Sequence, residues 1–141
     1  MTRLYHYTAD EDTHWGKILR DGRIVPLALT GRAGDAPQTH PQDGLLDGVV
    51  HLTDDPGARP ENLGLVMAES LRKTEIRIEV DVPAITWARW LKEVRFDARY
   101  AAALAKTSGW QAHHWRVATF PIPKDRWIEA VDTRTGEVVW P

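Results

Sequence analysis

The chain has 141 residues, with 18 Lys and Arg against 20 Asp and Glu and a formal net charge of −2, a balance that excludes a polybasic nucleic-acid coat protein. Hydrophobic residues make up 43% and charged residues 27%, enough apolar mass for one folded domain over residues 1–141 and too much for wholesale disorder. The absence of Cys excludes disulfides, thiolate zinc sites and a Cys nucleophile together.

Arg3 to Thr8 (RLYHYT) alternates, with Leu4, His6 and Thr8 on one face and Tyr5 and Tyr7 on the other, and reads as a short strand. Asp10 to Arg20 has acidic residues at its start and Lys17 and Arg20 near its end, the charge order of a helix dipole, with Gly22 as a stop. Arg23 to Leu27 is a short extended piece. Thr30 to Gly48 is rich in Gly, Pro, Asp and Gln and reads as a long, mobile loop bordering a functional pocket. Gly48 to Thr53 (GVVHLT) is a buried strand, followed by the turn-rich segment Asp54 to Asn62. Val66 to Lys73 is a short helix or strand. Glu75 to Val82 (EIRIEVDV) alternates strictly, with Ile76, Ile78, Val80 and Val82 inward and Glu75, Arg77, Glu79 and Asp81 outward.

Ile85 to Lys106 is mostly helical, interrupted at Val94 to Asp97, with Asp97 as an N-cap for Ala98 to Lys106. His114 to Phe120 and Trp127 to Val131 are strands, Asp132 to Gly136 is a turn, and Val138 to Trp140 is a last edge strand. The sum is an α+β chain, a mostly antiparallel sheet with helices inserted among its strands. The longest apolar runs fall far short of about 18 residues, so no membrane span is expected. The start, Met1-Thr2-Arg3-Leu4-Tyr5-His6, carries no apolar signal region, and a cytoplasmic location is the expectation.

No P-loop, G-x-G-x-x-G, H-E-x-x-H or nucleophile-elbow pattern is present. What draws attention is His6 and His51, each within a strand-like run. Imidazoles in such strands must find partners or face a pocket, and a shared cleft is expected for the pair. The adjacent His113 and His114 read as strand residues pointing to opposite faces, which argues against a metal site. Seven Trp residues are either core or a stacking and contact surface, with Trp87, Trp90, Trp110 and Trp115 the candidates for a protein interface.

The motifs LYHYT at positions 4 to 8, ILRDGRIVP and GVVHLTDDP together resemble the N-terminal half of the ADP-ribosyltransferase-like fold. The layout YHYT…GVVHLT…LGL…HWRV also resembles a small bacterial and phage family, toxin-like or phage-type in character. The resemblance implies a split, mostly antiparallel sheet and NAD as substrate. It also implies transfer of ADP-ribose to a macromolecular acceptor, protein or nucleic acid. By that resemblance His6 meets a ribose hydroxyl, Tyr7 contributes main-chain contacts to the carboxamide, and Thr8 occupies the small hydroxylic position. His51 or Thr53 falls where the family carries an aromatic or hydroxylic element. Glu129 matches the carboxylate that polarises the ribose, with Glu79 second. Arg77, Arg116 and Arg126 suit the diphosphate, since guanidinium forks fit phosphate oxygens. Two alternatives stand beside this one. The first is an RNA 2′-phosphotransferase-like enzyme using His6, Arg23, Arg77 and Arg116. The second is a non-enzymatic inhibitor with a Trp-rich interface.

Overall fold

The computed structural model describes residues 3–25, 49–63, 72–93, 98–107 and 111–141. Among them strands and helices follow in chain order, the expected strands together with two short ones that the sequence does not announce. These are β1 (Arg3–Thr8), α1 (Trp15–Asp21), β2 (Arg23–Ile24), β3 (Val50–Thr53), β4 (Ile76–Asp81), β5 (Ile85–Thr86), α2 (Trp87–Glu93), α3 (Ala98–Thr107), β6 (Trp115–Ala118), β7 (Ile122–Pro123), β8 (Trp127–Asp132) and β9 (Val138–Trp140). The fold is α+β. A seven-stranded sheet runs β5-β6-β3-β1-β4-β8-β9, with every described pairing antiparallel, and β2 and β7 form a second, two-stranded sheet. No helix among the described residues is long and apolar enough to cross a membrane.

Several boundaries differ from the sequence expectation, each for a local reason. The first helix begins at Trp15 rather than Asp10, because backbone N–H groups of His14 and Gly16 bond the Glu11 carbonyl in a preceding turn. It ends at Gly22, whose φ of 67° and N–H bond to the Ile18 carbonyl make a left-handed C-terminal stop. Ile85 and Thr86 are not helical. They pair with Val117 and Arg116 as an edge strand, and the Thr86 hydroxyl then accepts the Arg89 N–H, capping α2. The expected strand from His114 begins one residue later, since Ala112–His114 form a 3₁₀ turn. Between the two expected strands, Ile122–Pro123 forms β7, which pairs with β2 through Ile24↔Ile122. The expected pocket-bordering loop from Thr30 to Gly48 lies outside the described residues, as do the interruption at Val94 to Asp97 and Trp110.

Alternation assigns each strand two faces. On one, Leu4, Leu52, Ile76, Ile78, Val80 and Ala130 pack beneath Trp15 of α1, Ile24 and Ile122 of the small sheet, and Trp127. On the other face, at the β3–β6 end, α2 lays Trp87 and Trp90 against Val117, with Trp115 packed alongside. Trp87 and Trp90 are 6% and 4% exposed, so these two form part of the core rather than a contact surface.

Candidate functional site

The β1–β4–β8 ladder fixes one row of side chains. Tyr5 faces Glu79, which faces Glu129; Tyr7 faces Arg77, which faces Val131. All six therefore share the face opposite the Leu4–Ile78 core layer. At the Tyr7–Arg77 end a cleft of about 500 Å³ opens. It is lined by Tyr7, Arg77, Glu129 and Val131 from the strands, Pro56–Ala58 from the segment after β3, and the β8–β9 hairpin. The hairpin turns at Gly136, whose φ of 78° is the left-handed conformation a side chain resists.

The cleft wall after β3 is held by the same side chains that line the cleft floor. The Tyr7 hydroxyl donates to the Asp55 carbonyl at 3.1 Å, and Arg77 Nη1 donates to the Pro56 carbonyl at 2.7 Å. Burial pushes the Tyr7 phenol up to about 12, so it stays a donor. The Arg77 guanidinium also lies over the Tyr5 ring, 5.5 Å from its centroid. Asp55 is itself positioned by an Asx-type turn, accepting the Gly57 N–H while its own N–H bonds the Thr53 hydroxyl.

Glu79 departs from expectation. Its strand position reads as outward, yet it is 8% exposed. One of its carboxylate oxygens, Oε1, is buried without a hydrogen bond, with Arg3 Nη1 as an ion-pair neighbour at 3.4 Å. It faces Glu129 directly across the ladder. Like charges directly opposite one another on adjacent strands are unfavourable, so this pair costs stability.

The structure does not form the expected shared cleft for His6 and His51. The two halves of the sheet meet at Tyr5↔Thr53, which puts His51 and Thr53 on the Tyr5 face and His6 and Thr8 on the core face. A hydrogen bond ties the two through the main chain, where His6 Nδ1 lies 3.0 Å from the His51 carbonyl. That bond makes Nδ1 the donor and leaves Nε2 as the acceptor. Desolvation lowers the His6 pKa to about 4. The His51 ring instead stands edge-on to Trp90 at 6.4 Å, outside the residues that line the cleft. Thr8 and Thr53 are buried.

Arg116 is likewise not a cleft residue. Its guanidinium donates to Asp54 Oδ2 at 3.0 Å and to the carbonyls of His113 and Trp115. His6 and Arg77 lie on opposite faces, so the cluster required by the RNA 2′-phosphotransferase alternative is not assembled around them. The sequence reading also misses the walls formed by Pro56–Ala58 and the β8–β9 hairpin. The run Asp55-Pro56-Gly57 carries a turn signal, but nothing local says which strands it folds across. No family model matches the chain, and neither the curated proteins nor the solved structures contain a match to it.

Proposed function

We propose that the cleft between Tyr7, Arg77 and Glu129 binds the nicotinamide-ribose portion of NAD and that the protein transfers ADP-ribose to a macromolecular acceptor. One observation carries this reading. A solvent-accessible carboxylate, a guanidinium and a phenol from three adjacent strands converge on one cleft, with a second carboxylate, Glu79, directly across the ladder from Glu129. Two opposed carboxylates make a local negative potential, and such a potential favours a reaction that develops positive charge.

Cleavage of the ribose–nicotinamide bond is such a reaction. The C1′–N bond breaks, its electron pair leaves with nicotinamide, and the ribose becomes oxocarbenium-like. Glu129 then stabilises that charge, and the acceptor's nucleophile forms the new bond at C1′ as it gives up its proton. Arg77 supplies a diphosphate contact by exchanging the Pro56 carbonyl for a phosphate oxygen. Tyr7 supplies a ring edge for the planar base. His6 acts here from the opposite face, holding β1 to β3 rather than touching the ribose.

The test is nicotinamide release together with NAD affinity in the wild type and in Glu129→Gln. The substitution keeps size and an amide acceptor but removes the charge. Turnover is expected to fall on the order of 10²-fold or more, roughly 3 kcal/mol, with NAD affinity little changed, because the carboxylate acts in the transition state. Equal turnover in the variant transfers the role to Glu79. A wild-type protein that neither binds nor cleaves NAD refutes the reading.

A further inference from the structure

A second cluster lies outside the cleft, where β3 ends and β6 begins. We propose that His114 is a nucleophilic imidazole that accepts a phosphoryl group at Nε2.

The geometry is specific. His114 Nδ1 lies 2.5 Å from Asp54 Oδ1, and Arg116 Nη2 donates to the other oxygen of the same carboxylate, Oδ2, at 3.0 Å. The Asp54 N–H in turn donates to the His114 carbonyl, so the β3–β6 ladder continues through the pair and fixes both backbones. Arg116 is pinned by two further bonds, to the His113 and Trp115 carbonyls. The carboxylate therefore cannot swing away, and Nδ1 is committed as its donor. In the neutral ring the lone pair is then on Nε2, in a side chain 34% exposed. An imidazole oriented at one nitrogen by a carboxylate, with the other nitrogen unprotonated, is the arrangement that activates histidine for attack and proton transfer.

The class of donor follows from the charges. One imidazole and one guanidinium bond the same carboxylate, and the 3₁₀ turn brings the His113 ring to 4.0 Å from that of His114 instead of sending it to the opposite face. The fixed positive charge of the Arg116 guanidinium beside the ring favours an anionic donor, an acyl phosphate or a phosphoramidate, over a neutral acyl group. In the step, the Nε2 lone pair attacks phosphorus and the Nε2–P bond forms. The bond from phosphorus to the leaving oxygen or nitrogen breaks, and its electron pair departs with the leaving group. The Nδ1 proton stays in place, where Asp54 stabilises the resulting imidazolium. His114 does not line the proposed NAD cleft, so this inference is independent of that reading.

The experiment incubates the full chain with phosphoramidate, and separately with acetyl phosphate, then maps the modified histidines by peptide mass spectrometry and the ring isomer by phosphorus NMR. The expected result is one acid-labile phosphoryl group per chain, on His114 Nε2, formed about tenfold or more faster than at any other histidine or at a free histidine amide. His114→Ala abolishes the label, and Asp54→Asn slows it by about tenfold or more. Labelling spread evenly over the histidines, labelling at Nδ1, or undiminished labelling in Asp54→Asn each overturns the proposal. Competition among histidines within the wild-type chain decides the matter even where a variant fails to fold.

Discussion

A histidine inside a β-strand has two ring nitrogens to satisfy, and a desolvated ring satisfies them most readily when neutral. His6 does this with a bond from Nδ1 to the His51 carbonyl, and burial lowers its pKa from 6.5 to about 4. The unfolded chain then binds a proton between those values that the folded chain does not. Stability from this group is therefore fully present above about pH 6.5, falls as the pH drops, and is lost by about pH 4. With the ring still partly exposed, the contribution is about 2 kcal/mol. Urea unfolding of the wild type is expected to show a midpoint that declines from neutral pH toward pH 4. In His6→Asn that decline is shallower, and an equally steep decline in the variant would assign it to other groups. That His6 and His51 are unusual strand residues is legible in the sequence. That they face opposite ways is not, because their relative face is set by Tyr5↔Thr53, a pairing between segments 48 residues apart. Glu79 is a similar case: its alternation names its face correctly, but its burial depends on what the neighbouring strands bring beside it.

At the scale of elements, β1 has two unequal neighbours. Its ladder with β4 runs through six residue pairs, from Arg3↔Asp81 to Thr8↔Ile76, whereas its pairing with β3 has the single register pair Tyr5↔Thr53. Opening along the β1–β3 seam breaks fewer backbone bonds, with the His6 ring supplying part of what the ladder lacks. Native-state hydrogen exchange is expected to protect the amides of β4, between β1 and β8, more strongly than those of β3 that face β1. His6→Asn should widen the difference, and equal protection on both sides of β1 would remove the seam. The strict alternation of β4 made it readable from sequence, as did the apolar run of β3. The edge strand β5 was not readable, since Ile85-Thr86 abuts Trp87-Ala88-Arg89-Trp90, whose helical spacing extends the helix pattern backward; only the Thr86 cap marks the boundary. The left-handed Gly22 that ends α1 was readable, because few other residues tolerate that backbone. Gly22→Ala is expected to cost about 1 kcal/mol in chemical unfolding.

Across the whole molecule, the tryptophans among the described residues divide between the two faces of the sheet. Trp15 and Trp127 sit in the larger core layer, with the Trp140 ring 5.2 Å from that of Trp127, while Trp87, Trp90 and Trp115 belong to the smaller cluster. Between distant segments the tie is polar. Arg134, at the β8–β9 turn, donates to Asp132, to Glu75 just before β4, and to Asp10 just after β1, a partner 124 residues away. Arg72 adds Glu11 and Glu75 to the same group. The bond from Arg134 is the first cause that holds the Asp132 carboxyl below its ordinary range, and Asp132 raises Arg134 in return. Arg134 and Asp10 stand half open to solvent while Asp132 and Glu75 are mostly covered, so salt screens part of the attraction. Arg134→Ala is therefore expected to lower Tm at low salt, and the difference from wild type should shrink in ~1 M NaCl, where the screening length is about 3 Å. The depressed Asp132 sets the pH sense as well. Its contribution is present above the ordinary carboxylate range and is lost as the pH falls through its folded value, so the wild-type advantage narrows in acid. Thermal unfolding of both proteins across salt and pH measures this directly. A gap that ignores both variables would mean that Arg134 stabilises the hairpin through the packing of its aliphatic stem, and that the three segments are joined by the sheet alone.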